Sequence, residues 1–236
     1  LWTHDHADHC HGIDDLRQIY HHRRKPLPGY AREPVMALLK RRFAYAFDGR
    51  DGYPATIDGN DLPEVLTIGD IMVRWADMPH GNIYSTGFMF QTNGLSVGYA
   101  TDFHDVTPEM IALFQGADIW VADALREKPH PTHAHLAMTL AAIREIAPGR
   151  AILTHMDQSM DYATLRDMLP PDVEPAYDGL VLAAGKRGEN YFLHGLAASG
   201  ASLFQLPLPG RGHAAAAHPT RAEAVAFARP HLGVMC

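Results

Sequence analysis

The chain has 236 residues, 47% of them hydrophobic, with a formal net charge of −7 and a sequence pI near 6.1. That length and composition suit one sizeable core, while the acidic balance argues against a broad electrostatic nucleic-acid surface, so that any polyanion contact must be local. Two cysteines, Cys10 and Cys236, are too few for a disulfide framework, and neither a signal peptide nor an apolar span of roughly 20 residues is visible, so the chain reads as cytoplasmic with no membrane partner.

Taken in chain order, residues 1–3 read as the end of a buried strand, followed by an Asp/His-rich loop and a helix over 13–21. Residues 25–29 form a turn-rich connection, and 33–43 place Val35, Leu38, Leu39 and Phe43 at helical spacing on a core face. Paired strands are expected at 65–68 and 71–75, then at 86–92 and 95–100 around the turn Asn93-Gly94. Beyond Asp102 come a helix capped by Thr107 with Pro108 at its first position, a strand over 119–122, a helix over 136–146 and a strand over 151–153. A helix over 162–168 and a strand over 179–182 complete an α/β arrangement. From about residue 186 the text turns Gly-, Ala- and Pro-rich, with one helical stretch at 220–229. This divides the chain into a domain, 1–185, and a tail, 186–236, to which no chemistry is assigned. The chain opens on Leu1, and its most chemical segment begins by residue 4, before any scaffold to hold it. An N-terminally truncated sequence is therefore expected.

Sixteen histidines are the one compositional anomaly, and several cluster beside Asp. His4, His6, Asp8 and His9 form H-x-H-x-D-H, four donors in six residues. A short loop can wrap this pattern so that two histidines face one metal while Asp8 and His9 face another. Imidazole suits zinc, manganese and related ions, and a carboxylate among imidazoles lowers the net charge of a two-ion centre. His80, Asp102 and His155 each follow an expected strand, where a rigid element presents a side chain to one end of a sheet. Asp14 reads as a helix-entry residue, and Cys10 as a small buried residue rather than a ligand.

Five segments in order, Thr3-His4-Asp5-His6-Ala7-Asp8-His9, Met78-Pro79-His80-Gly81, Tyr99-Ala100-Thr101-Asp102, Leu153-Thr154-His155 and Ala176-Tyr177-Asp178-Gly179, resemble the metallo-β-lactamase superfamily. Within it they resemble the branch of phosphodiesterases that includes the phosphoribosyl cyclic phosphodiesterase. The resemblance spans about residues 1–182 and implies an α/β, αββα sandwich lacking its first strands. It implies a first metal on His4, His6 and His80, a second on Asp8, His9 and His155, and Asp102 bridging both; the ions would be two divalent cations, Zn or Mn. Of the three histidines before the helix at 136, His133 best matches the residue that assists at the scissile phosphate, with His135 as fallback and Arg126 as a weaker phosphate contact.

The implied reaction is attack on a small, cyclic phosphodiester by a hydroxide activated between two metals, with Asp8 orienting it and His133 serving the leaving group. Ester or thioester hydrolysis on the same fold is the enzymatic alternative. A non-catalytic metal-binding fragment is the alternative from another class. Partners are expected to be the small substrate, no extended nucleic acid, and at most a second copy in a homodimer. No NAD or ATP loop is present in the Gly-rich stretches.

Overall fold

The computed structural model describes residues 1–184 and 191–194. The chain begins with a short helix α1 (Ala7–Cys10), a 3-10 turn His11–Asp15 and α2 (Leu16–Arg23). Then come β1 (Leu27–Ala31), α3 (Glu33–Arg42), α4 (Ala44–Phe47) and β2 (Ile57–Asp61). A meander follows of β3 (Leu66–Ile68), β4 (Ile71–His80), β5 (Ile83–Thr92) and β6 (Leu95–Ala100). The rest alternates: α5 (Pro108–Phe114), β7 (Ile119–Asp123), α6 (Leu136–Ile146), β8 (Ala151–Thr154), α7 (Tyr162–Met168), β9 (Val173–Pro175), β10 (Val181–Ala184) and β11 (Tyr191–His194).

β3 to β9 form one seven-stranded mixed sheet in sequence order. β3 to β6 pair antiparallel and β6 to β9 pair parallel. The antiparallel part is set locally. Asn93 and Gly94 both take positive φ (41° and 81°), the conformation a two-residue hairpin turn requires, and they fix Thr92 opposite Leu95. The parallel part needs crossovers, supplied by α5, α6 and α7. Their apolar faces (Met110, Phe114, Leu136, Ile143, Leu165) pack with Trp120, Ala122 and Leu153 of the sheet in one core. On the opposite face Val73, Phe88, Tyr99, Val121 and Ile152 pack with Leu1, Leu62, Leu180 and Leu182.

Residues 13–42 depart from expectation in two places. The stretch 25–29, read as a turn, contains most of β1, which pairs parallel with β2. Its partner lies 30 residues downstream (Leu27 opposite Ile57), so no local pattern announces it. Gly29 stays bare because a Cβ there would lie 2.5 Å from the Trp2 ring. The helix expected at 13–21 begins as the 3-10 turn and ends at Arg24, which is left-handed (φ 58°). In α3 the buried residues are Val35, Met36 and Leu39, whereas Leu38 and Phe43 are only half-buried. Val35, Met36 and Leu39 join Trp2, Cys10, Ile13, Ala31, Phe47 and Ile57 in a separate small core, with Phe43 packed against it. Residues 1–3 form no strand, but the Trp2 N–H donates to the Tyr30 carbonyl and the Thr3 carbonyl accepts from Thr86 N–H, both at 3.0 Å. The segment is thereby tied to β1 and β5 at once.

β10 pairs antiparallel with β11, so Tyr191–His194 is a strand inside the stretch read as a tail. The rest of 186–236, including the helix expected at 220–229, lies outside the described residues. Among the described residues no helix is long and apolar enough to cross a membrane.

Candidate metal centre

Five chain segments converge at one end of the sheet. The loop after Thr3 brings His4 and His6, and the single turn of α1 brings Asp8 and His9. β4 ends on His80, Asp102 follows β6, Asp123 ends β7 and His155 follows β8. Asp102 and His155 both hold left-handed backbones (φ 60° and 59°). Such a conformation costs about 1–3 kcal/mol outside glycine and persists where the surroundings enforce it. Both residues mark the point where a parallel strand stops and its side chain turns into the site.

The donors fall into three overlapping groups whose ligand atoms lie within 4.8 Å of one another: His4, His6, His80 and Asp102; Asp8, His9 and His155; and Asp102, His133 and His155. Asp102 is the hub. Its Oδ1 stands 3.8 Å from His4 Nε2, 3.7 Å from His80 Nε2, 3.7 Å from His155 Nε2 and 3.6 Å from His133 Nδ1. Its Oδ2 stands 3.1 Å from His9 Nε2 and accepts from Thr101 Oγ1 at 2.7 Å. Asp8 Oδ2 is 3.2 Å from His9 Nε2 and 3.3 Å from His155 Nε2. The structure thus brings together every residue the sequence singled out as a metal ligand.

Second contacts aim the rings. His80 Nδ1–H donates to the Thr132 carbonyl at 2.7 Å, turning Nε2 towards the cluster, and His4 Nδ1 is held by Thr3 Oγ1 at 3.0 Å. Arg42, on α3, holds the loop from outside. Its guanidinium donates to the Asp5 carbonyl, reaches Asp5 Oδ2 at 3.0 Å and lies 3.2 Å from His11 Nε2.

The donor set fits a cation on its own evidence. His4 Nε2 and both ring nitrogens of His9 are buried without a hydrogen-bond partner, although carboxylate oxygens stand close by. Buried polar atoms left unpaired are costly, and a cation among them would satisfy His4 Nε2 and His9 Nε2. Burial lowers His4 to about 3, so its imidazole is neutral with a lone pair free, and burial likewise lowers His80. Burial alone would depress His9 too, but the Asp102 and Asp8 carboxylates outweigh it and raise His9 to about 9. His155 and His9 hold Asp8 far below the ordinary carboxylate range. Burial of Asp102 is more than offset by His9 and its neighbours, so that carboxylate is depressed as well.

His133 sits apart in its bonding. Its Nδ1 pairs with Asp123 Oδ2 at 3.0 Å, and its ring stacks on His155 at 4.9 Å between centroids. Full burial raises Asp123 above the usual carboxylate range. His135 joins none of the donor groups and stands at the N-cap of α6, with no side-chain capping bond. The Arg126 guanidinium donates to the Lys128 and Pro129 carbonyls at 3.1 and 2.8 Å, bracing its own loop. Sequence reasoning missed Asp123, Arg42 and the Thr132 carbonyl. Asp123 had a readable signal, an acid closing an apolar strand; the other two belong to long-range packing.

Residues 1–156 match the model of the "Beta-lactamase superfamily domain". A curated octanoyltransferase of Porphyromonas gingivalis is 28% identical over 199 residues, 80% of this chain; the chain spans only 38% of that relative's length. Among solved structures, a diphosphatase of the PhnP family superposes with a TM-score of 0.69 at 28% identity, covering 78% of this chain and 70% of that one. The metallo-β-lactamase fold protein YhfI of Bacillus subtilis gives 0.63 at 18% identity over 75% and 73%. The chain belongs to the metallo-β-lactamase superfamily, with its α/β fold, and carries clustered His and Asp donors able to hold metal ions.

Proposed function

We propose that this superfamily member is a phosphodiesterase acting on a small phosphodiester, with Asp102 placed to share two divalent cations. The observation that carries the reading is the pair of donor clusters meeting on one buried carboxylate, with a separately bonded histidine at their side. Likeness to a diphosphatase supports the phosphoryl substrate. Zinc and manganese both suit this mixed imidazole and carboxylate set.

His4, His6, His80 and Asp102 would hold one ion, and Asp8, His9, His155 and Asp102 the other. When bound, the pair supplies Lewis acidity and a water acidic enough to attack near neutral pH. Asp8, the most exposed of the acidic donors, is placed to accept a hydrogen bond from that water and aim it at phosphorus. As the P–O bond to the leaving group breaks, His133 donates a proton to the departing oxygen, while Asp123 holds the ring through Nδ1. The Thr132 carbonyl and Thr3 hydroxyl keep the donor rings from rotating.

The test is metal content per chain alongside hydrolysis of bis(p-nitrophenyl) phosphate, in the parent and in His133→Ala. The parent should bind two metals and turn over. His133→Ala should keep both metals and, on a diester with an alkoxide leaving group such as glycerol 1,2-cyclic phosphate, lose turnover by ~10²–10⁴-fold, the range of general acid–base catalysis, with a smaller loss on bis(p-nitrophenyl) phosphate, whose leaving group needs little protonation. Two metals with ester or thioester hydrolysis and no diesterase activity would favour acyl chemistry, the reading to which the octanoyltransferase relative lends support. Absence of bound metal overturns the proposal.

A further inference from the structure

Behind the second donor cluster, Asp123 Oδ1, Thr154 Oγ1 and His155 Nδ1 are all buried and have no hydrogen-bond partner among the described residues. The sheet places the three together. β7 and β8 pair parallel with Asp123 opposite Thr154. One step back along the two strands Ala122 and Leu153 face the helices, and two steps back Val121 and Ile152 face the opposite core. Alternation therefore turns Asp123 and Thr154 to that opposite face, side by side on adjacent strands. His155 follows Thr154 with its left-handed backbone, and its Nδ1 stands 3.9 Å from Asp123 Oδ1.

The donors and the acceptor match. Asp123 Oδ1 belongs to a fully buried carboxylate whose other oxygen, Oδ2, already holds His133 Nδ1 at 3.0 Å. A carboxylate oxygen accepts two hydrogen bonds. The Thr154 hydroxyl is one donor on its face. His155 Nδ1–H is the other, because Nε2 of that ring faces Asp8 Oδ2 at 3.3 Å in the second cluster. Buried polar atoms left unpaired are costly, and pairing these with one another satisfies all three at once. From the observed 3.9 Å, a hydrogen bond of ordinary length between Nδ1 and Oδ1 needs a ring shift of ~1 Å.

We infer that Asp123 is a positioning residue for two imidazoles, aligning His133 through Oδ2 and, together with Thr154, aligning His155 through Oδ1. A partner on Nδ1 fixes the tautomer that leaves Nε2 free for a metal. One carboxylate thereby ties the proton donor to a ligand of the second cation, and losing it costs metal affinity as well as turnover. The inference rests on the two-cation half of the proposed function and is independent of the phosphoryl substrate.

The experiment is stepwise zinc titration against a chelating indicator, alongside hydrolysis of glycerol 1,2-cyclic phosphate at saturating zinc. It compares the parent with His155→Ala, His133→Ala, Asp123→Asn, Thr154→Val and Thr154→Ser. His155→Ala identifies the binding step that belongs to the second cluster. Asp123→Asn should weaken that step by ~10–100-fold, keep the other at its parental value and lower turnover, whereas His133→Ala lowers turnover with both steps parental. Thr154→Val removes the hydroxyl at nearly constant shape and should weaken the same step, and Thr154→Ser should restore it. Parental affinity at both steps in Asp123→Asn, or in Thr154→Val, overturns the inference. If the parent binds two cations but hydrolyses no diester, and Asp123→Asn weakens the second step, the inference stands and the phosphodiesterase reading falls. A parent that binds fewer than two cations overturns both.

Discussion

The donors come from two regions built in opposite ways. His4, His6, Asp8 and His9 lie within six residues on a loop and one helical turn, shaped by a small core under α3 and gripped from outside by Arg42. His80, Asp102, Asp123 and His155 are spread over 76 positions, each at the end of a strand of the seven-stranded sheet. The first region is local in sequence and half enclosed, with His4 and His9 buried but His6 and Asp8 exposed. The second is distant in sequence and deeply enclosed, with His80, Asp102 and Asp123 buried. Rigid placement comes from the sheet, and chemical density comes from the loop.

Asp102 joins the two regions, so its removal should produce the largest effect. Asp102→Ala takes away a carboxylate within 3.8 Å of five histidines. Metal affinity should fall by more than the ~10–100-fold that loss of an outer contact costs, and turnover should fall with it. Normal metal stoichiometry and full activity, by elemental analysis and steady-state kinetics, would refute the bridging role proposed for Asp102.

Arg42→Ala tests the loop alone. Arg42 touches no donor side chain of the clusters, yet it holds the Asp5 carbonyl and carboxylate between His4 and His6. The expected result is ~10-fold weaker metal binding with the sheet's thermal unfolding little changed, measured by titration against a chelating indicator and by calorimetry. If metal affinity is unaltered, the loop is held from within and the contrast between the regions loses its first half.

The same contrast explains what the sequence could reveal. The loop donors are legible because they are neighbours. Asp102 and His155 are legible because each follows an apolar run that reads as a strand, and α6 and α7 fall on their expected residues because 3.6-residue periodicity and flanking Pro and Asp mark them. Asp123 escaped because an acid at a strand end acquires meaning only when His133, ten residues on, folds back onto it. β1 and β2 escaped for a related reason: parallel pairing across 30 residues leaves no turn to read, and Pro28 and Gly29 point the other way locally. Arg126 was read as a weaker phosphate contact; in the structure its Nε and one Nη also donate to carbonyls two and three residues ahead, a bracing no sequence pattern announces.

The smallest effect should come from the crossovers that hold the strand ends apart. Thr107 Oγ1 accepts from Met110 N–H at 3.2 Å and closes the first turn of α5, five residues after Asp102. α5 buries Met110 and Phe114 against the sheet, so the helix is held by packing as well as by its cap. Thr107→Ala should therefore cost about 1 kcal/mol of stability, a fall in Tm of roughly 2–4 °C for a domain of this size. Asp102 itself is fixed by other contacts: Thr101 Oγ1 donates to its carboxylate, and Ser85 Oγ donates to its carbonyl at 2.7 Å. Metal content and kcat/KM should accordingly stay at the parent level while Tm drops. If activity falls in step with stability, the strand-end donors depend on their crossovers as the loop donors depend on Arg42, and the two regions are held by one mechanism rather than two.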